Sequence, residues 1–422
     1  MTHPVDCIVV GAGLAGLACA GELVRAGRGV VVLEAADRVG GRVATDTIDG
    51  FRIDRGFQVY NDAYPEGQRL LDLAALHLGA FESGAIIAGG ARLRRVSDPW
   101  RRPLAALGSI LDGSVGIADG VRTARLRSDA IRMVRSGVDP DAATTAGERT
   151  TREELESRGF SERFIRGFFV PFFGGVFLER LLDTSAAVFL FDFAMFSLGR
   201  ACLPAGGMDA IPRQLAARLP AASVRLGIPV RSCAPGHVTL DDGTVLSAKD
   251  VVVAVDGASA AALLPEALRG GLAERAWKST RLMAFAADRS PLTSRTLLVS
   301  AEPDGPIDNL TVPSDIATGY APPGRSLITV SIRGDWKEAD PVIAVKRQAA
   351  AWCGQAVEAW HHLATVDVAR ALPDESPAAR LARAFGPQLA NGLWICGDHC
   401  GTASINGALA SGRRCAQAII GP

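Results

Sequence analysis

The chain has 422 residues, 48% of them apolar and 21% charged, and its 45 basic and 45 acidic side chains leave no net formal charge. This composition excludes a disordered, collagenous or disulfide-stapled chain, and the length suffices for two or three domains. No basic stripe marks a nucleic-acid partner. The eight cysteines follow no regular spacing and read as buried small hydrophobes of a reducing compartment. The first residues lack the pattern of a secretory leader, and no apolar run reaches the roughly 20 residues that span a bilayer. The expected address is cytoplasmic, with peripheral membrane contact left open.

Asp6 to Val10 is a short β-branched run that opens into Gly11-Ala12-Gly13-Leu14-Ala15-Gly16, and Leu17 to Ala26 then reads as a helix ending at Gly27. Strand, glycine turn and helix stand in the order of a dinucleotide-binding unit. Gly11 makes the tight turn, Gly13 lets a pyrophosphate approach the backbone, and Gly16 packs helix on strand. The helix start, with Leu14 and Ala15, supplies N–H donors. Gly29 to Leu33 forms the second strand, and Glu34 follows, 18 residues after Gly16, placed to accept from ribose hydroxyls. An acidic residue there argues against a 2′-phosphate.

The next segment, Glu34-Ala35-Ala36-Asp37-Arg38-Val39-Gly40-Gly41-Arg42, resembles the E-A-x-x-R-x-G-G-R signature of the flavin-dependent amine oxidase superfamily. That superfamily includes amine oxidases, protoporphyrinogen oxidase and carotene desaturases. Arg38, Arg42 and the Gly40-Gly41 backbone offer cations and N–H groups to a pyrophosphate. Gly50 to Gln58 is similar to the family's next element, and the resemblance brings Gly56, Phe57 and Gln58 past the flavin ring.

The family's domains are discontinuous, and the sequence contains matching returns. Val224 to Val230, Val238 to Leu240 and Val251 to Val255 read as strands, with Asp241 to Thr244 a hairpin turn. The resemblance places Val230 beside the adenine through its backbone. Leu203 to Met208, before a helix over Ile211 to Leu219, is similar to the P-x-G-G-M segment of desaturases and protoporphyrinogen oxidases. Leu393 to Cys396 is a strand, Gly397-Asp398 a turn, and Ser404-Ile405-Asn406-Gly407-Ala408 starts a helix through Arg414. By resemblance, Asp398 binds ribityl hydroxyls, and the helix start at Ser404, Ile405 and Ala408 faces the charge of a reduced flavin. The set Cys396, Asp398, His399 and Cys400 is too compact to aim four tetrahedral ligands, so no metal site is expected.

Residues 71–203 and 276–388 remain for a substrate domain, with 1–70, 204–275 and 389–422 forming the FAD domain. Leu104 to Leu111, Ser114 to Met133 and Thr151 to Arg158 read as amphipathic helices, with a capping sequence at Thr151 to Glu154. Ala284 to Ala287, Leu297 to Val299 and Leu327 to Ile332 read as strands. Between Phe160 and Phe196 lie 11 of the 16 phenylalanines. The stretch Phe168 to Phe177 is too broken by Pro and Gly for one buried helix. Its rings either fill a core or line an apolar substrate cavity, for which Tyr60, Phe169, Phe173, Phe189 and Phe193 are the candidates.

The fold class expected is α/β: a Rossmann-like FAD-binding domain interleaved with an α+β substrate domain. The expected cofactor is noncovalent FAD. With no second glycine fingerprint for NADPH, electrons leave to O2, a quinone or another protein. The Phe cluster, Asp398 and the P-x-G-G-M element favour hydride removal from a C–H bond of a bulky, largely apolar or amphipathic substrate. The alternatives are C–N oxidation of an amine and a reduced-flavin isomerase without net redox. An aromatic pair typical of family amine oxidases is missing, since only Tyr60, Tyr64 and Tyr320 are present. Lys278 is the one catalytic candidate, placed roughly where family amine oxidases carry a lysine.

Overall fold

The computed structural model describes residues 5–90, 92–102, 115–137, 147–272, 275–334, 336, 340–382 and 386–421. The helix expected over Leu104 to Leu111 lies outside them, as does Ser114. Along the chain, β1 (Cys7–Val10), α1 (Leu14–Arg25) and β2 (Val30–Leu33) form a βαβ unit, and β3 (Thr45–Ile48) and β4 (Phe51–Asp54) a hairpin. β5 (Gly84–Gly89) and β6 (Arg92–Ser97) precede the helices α2 (Ile117–Arg135), α3 (Val170–Phe177) and α4 (Ala186–Leu198). β7 (Val224–Arg225) and β8 (Asp250–Val253) are followed by β9 (Trp277–Ala287), β10 (Leu297–Ser300), β11 (Ile307–Thr311) and β12 (Ser326–Arg333). After α5 (Pro341–Cys353) come β13 (His361–Pro373), β14 (Gln388–Ala390), β15 (Leu393–Ile395) and α6 (Ile405–Ile420).

The first sheet runs in the order β7-β2-β1-β8-β15-β14. β1 pairs in parallel with β2 and with β8, so its four residues are covered on both faces and read as an unbroken apolar run. Cys7 and Val9 pack into the core that holds α1 and α6, whereas Ile8 and Val10 pack into the core on the other side. α1 and α6 both pack on the first of these faces, and α1 starts at the carboxyl end of β1, beside the ends of β2 and β8, where dinucleotide folds open a crevice.

The second sheet, β13-β9-β12-β11-β10-β5-β6, is mixed, with β10 and β5 its parallel pair. Along β9 the side chains alternate between two cores: Leu282, Ala284 and Ala286 join the core that holds α1 and α6, and Met283 and Phe285 pack with α5 residues such as Val345 and Trp352. The second sheet therefore presents one face to the nucleotide-binding half.

Four local expectations are corrected. The strand expected over Val224 to Val230 is broken, because Gly227 has φ +67° and Pro229 follows; the chain resumes as a three-stranded antiparallel sheet of Val230–Ala234, His237–Leu240 and Val245–Ser247. Glycines 11–16 leave α1 starting earlier, at Leu14. The capping box uses Thr150, not Thr151, with Glu153. Phe168 to Phe177 is helical: a π turn over Ile165–Phe169 runs straight into α3, and Pro171, in the first turn of α3, needs no intrahelical N–H there.

α1 and α6 cross closely at Gly412, where a Cβ would overlap the Ala15 carbonyl. Gly412→Ala should therefore destabilise the protein by about 1–3 kcal/mol, the usual cost of overpacking. Urea denaturation reads this directly, and an unchanged midpoint would contradict the close crossing.

Candidate functional site

The turn after β1 ends at Gly13, the N-cap residue of α1, which has no side-chain cap and open space where a Cβ would project. Gly11 has φ +107°, and a Cβ there would lie 2.8 Å from the Ala254 carbonyl oxygen. The N–H of Leu17 is the first to bond back into the helix, to Gly13 O at 2.9 Å. The N–H groups of Leu14, Ala15 and Gly16 are thus left for a ligand, as at any uncapped helix start.

Glu34 ends β2 with both carboxylate oxygens engaged, accepting from Ala12 N at 2.7 Å and Ala36 N at 2.9 Å. The loop beyond it folds back onto the glycine turn: Gly40 N donates to Ala12 O at 2.8 Å, and a Cβ on Gly41 would lie 3.7 Å from Gly13 Cα. Backbone bonds from Gly227 N to Ala36 O and Ile228 N to Glu34 O, both 2.9 Å, bring Val230 to the same edge.

Arg42 crosses from this loop to the C-terminal turn. Its guanidinium bonds Asp398 Oδ1 at 2.6 Å and Ala371 O at 2.9 Å, and lies 5.5 Å over the Trp277 ring. Burial would raise the Asp398 carboxyl, but Arg42 outweighs it and holds the group below the usual carboxylate range. His399, beside it and fully buried, is pushed down to about 4 by that burial. Arg38 instead pairs with Asp46 at 2.7 Å. Ser404 caps α6 by accepting Gly407 N at 2.9 Å, and Ala408 N bonds Ser404 O, also at 2.9 Å, so that the N–H groups of Ile405 and Asn406 point outward unpaired.

Among the described residues, several buried polar atoms around this edge have no hydrogen-bond partner: Gln58 Oε1, Trp277 Nε1 and both ring nitrogens of His399. Unsatisfied buried groups in a native protein call for an explanation. Two open helix starts, a carboxylate at the end of β2, an arginine and these orphaned atoms fit the phosphates, ribose and ribityl chain of a flavin dinucleotide.

Gly56 to Gln58 continue from this edge to the second sheet, where Gly56 lies beside Thr280 and Val368. Gln58 Nε2 donates to Arg42 O at 2.7 Å, and Phe57 lines a cavity of about 250 Å³. Seven further phenylalanines line it: Phe81, Phe164, Phe168, Phe172, Phe173, Phe193 and Phe196. Phe169, Phe189 and Tyr60 do not line it, which corrects their assignment as pocket residues. Phe169 and Phe189 are 0% exposed and face inward, Phe169 lying 5.1 Å from Phe160 and Phe189 4.9 Å from Phe173. Tyr60 packs edge-on to Tyr64 at 5.8 Å, against Gly67. Lys278 is held by Glu179 and by Thr184 Oγ1 at 3.4 Å, while its neighbour Trp277 faces Arg42. The predicted catalytic lysine is thus tied to the end of α3 in this structure.

Two features escaped the sequence. The sulfurs of Cys19, Cys396 and Cys415 lie within 4.8 Å of one another, buried where α1, β15 and α6 meet. Their positions, spread over the chain, carry no spacing signal. Asp192 is buried on α4 among phenylalanines and, among the described residues, makes no hydrogen bond. Its position in an apolar run was the available signal.

A family model for flavin-containing amine oxidoreductases matches residues 14–420. The chain belongs to that family. It is 32% identical over 240 residues to a phytoene dehydrogenase of Streptomyces griseus, covering 50% of this chain and 46% of that one. It is 51% identical over 67 residues to a putrescine oxidase of Kocuria rosea, covering 16% and 14%. The matches thus span less than half the length of these relatives. A solved structure of a putrescine oxidase triple mutant superposes with a TM-score of 0.75 at 16% identity over 99% of each chain, which establishes the shared Rossmann-type fold. No helix among the described residues is long and apolar enough to cross a membrane.

The two environments of the Phe-rich segment separate by mutation. Phe169→Ala or Phe189→Ala should cost about 3–5 kcal/mol of stability, as in other packed cores. Phe193→Ala, on the cavity wall, should cost less and change ligand selection instead; chemical denaturation and ligand titration measure the two effects. Burial, with Glu375 adding to it, raises the Asp192 carboxyl to about 7. An unfolded carboxyl titrates near 4. The folded state binds the proton more tightly across that interval, so this group's contribution to stability falls as pH rises from about 4 to about 7. Asp192→Asn should abolish the decline and be more stable than the parent at pH 8, measured by urea denaturation across pH.

Proposed function

We propose that this chain removes hydride from a C–H bond of a bulky, largely apolar substrate seated in the phenylalanine-lined cavity. In this reading FAD is held noncovalently along the edge of the first sheet. Gly11, Gly13, Leu14, Ala15 and Gly16 cradle the pyrophosphate with Arg38, Gly40, Gly41 and Arg42. Glu34 and Ala35 take the adenosine ribose, and Val230 flanks the adenine. Gly397, Asp398, Ser404, Ile405 and Ala408 face the ribityl chain and the pyrimidine side of the ring, and Gly56, Phe57 and Gln58 run beside it. When bound, the flavin supplies the hydride acceptor.

The observation that carries the reading is the shared wall: Phe57 belongs both to the cavity and to the stretch that leads from Arg42 and Gln58. A phenylalanine wall excludes water and orients a substrate by shape, which suits a reaction in which the protein positions a C–H bond and handles no charged intermediate of its own. Lys278, paired with Glu179, is withheld from the cavity, which weighs against the lysine-assisted form of C–N oxidation. O2, a quinone or a redox protein would reoxidise the flavin.

Purified protein should be yellow, with one FAD per chain released by heat or acid. Under anaerobic conditions a polyene should bleach the flavin and simple amines should not; bleaching by amines alone would reverse the assignment. Glu34→Ala should weaken FAD binding by about 1.5–3 kcal/mol, the scale of a charge-assisted hydrogen bond. A fluorescence titration of apoprotein with FAD measures it, and unchanged affinity would remove the ribose contact.

A further inference from the structure

The cavity wall carries five charged side chains, Glu82, Asp98, Arg101, Arg127 and Arg200. Four have partners of opposite charge or their equivalent. Glu82 is clamped by Arg95 and Arg102, and Arg200 pairs with Asp62 at 3.0 Å. Asp98 accepts Trp100 N at 2.9 Å and lies 3.8 Å from Arg101 Nε, and Arg101 also donates to Ser83 Oγ at 3.1 Å.

Arg127 is different. Gly120, Thr123 and Arg127 line the cavity from one face of α2, at the i, i+3, i+7 spacing of a helix. The Arg127 guanidinium lies 4.6 Å over the Trp100 ring and makes one hydrogen bond, to Ser197 O at 3.3 Å. Its Nε is buried without a partner, and among the described residues no carboxylate lies within ion-pair distance. A charge turned into an apolar enclosure is costly unless it is paired. Stacking on an indole orients a guanidinium but does not neutralise it, and the planar fork matches a carboxylate in two-point fashion.

We infer that Arg127, set by Trp100, binds a carboxylate carried by the substrate, so that the substrate is an apolar chain or ring system with an anionic end. The inference rests on the cavity being the substrate site. The eight phenylalanines receive the apolar body, and Arg127 fixes its register relative to Phe57 by holding one end. Specificity then comes from the unpaired cation, since neutral and cationic analogues of the same shape leave it unsatisfied.

Calorimetric titration of the FAD-loaded protein at pH 8 with dodecanoate and with 1-dodecanol tests this. Dodecanoate should bind on the order of tenfold more tightly or better, the range of a charge-assisted pair. Arg127→Gln should erase the difference while leaving 1-dodecanol affinity unchanged, which also shows that the variant cavity is intact. Arg127→Lys should retain part of the preference. Equal affinities for acid and alcohol in the parent protein, or a preference that survives in Arg127→Gln, would overturn the inference and leave the apolar cavity standing. If neither compound binds, the cavity reading falls and takes this inference with it.

Discussion

Arg42 and Asp398 stand 356 positions apart in the chain and meet at 2.6 Å. The contact joins the loop after β2 to the turn after β15, and these two segments bring the starts of α1 and α6 to one crevice. Removing a carboxylate and a guanidinium from water is costly unless each satisfies the other. Arg42 here also gains the Ala371 carbonyl and the Trp277 ring, so that β9 and β13 are drawn onto the same point. One polar contact thus registers both sheets on the cofactor edge, and the orphaned atoms of Gln58, Trp277 and His399 around it are where a dinucleotide would complete the network.

The second constraint is steric. β9 sends alternate side chains into two cores, a consequence of the two-residue period of a strand. Its small inward residues Ala284 and Ala286 let the second sheet approach the nucleotide-binding half. The cavity opens farther along, where the phenylalanines of the helical segment face Phe57. Phe169 and Phe189 support that wall from behind, and their edge-to-face packing fixes the rings that are exposed to the cavity. Arg127 on α2 then provides the one charge in this enclosure that nothing in the described protein answers.

The strand, glycine turn and helix start proposed to hold the nucleotide were largely legible because their geometry is local. Gly11, Gly13 and Gly16 are demanded by backbone approach within six residues, and Glu34 by the end of the next strand. The family signature from Glu34 to Arg42 added the loop that folds back onto the glycine turn. The substrate side was far less legible. Eleven phenylalanines within a short stretch announce an apolar structure, but periodicity does not distinguish a ring facing a cavity from one facing a core. The helical course of Phe168 to Phe177 was misread because Pro and Gly normally break helices. Here a π turn ends just before Pro171, whose missing N–H falls in the first turn of α3.

The sequence by itself determined the Rossmann-type fold, the flavin cofactor and the order in which the chain returns to the first sheet, since these depend on turns, strand runs and motifs a few residues long. Only the tertiary structure decided which aromatic rings line the cavity, that Lys278 is bound to Glu179, that three distant cysteines touch, and that Arg127 lacks a counter-ion among the described residues. Each of these is a relation between side chains on different elements, and burial, pairing and orientation exist only once those elements have packed.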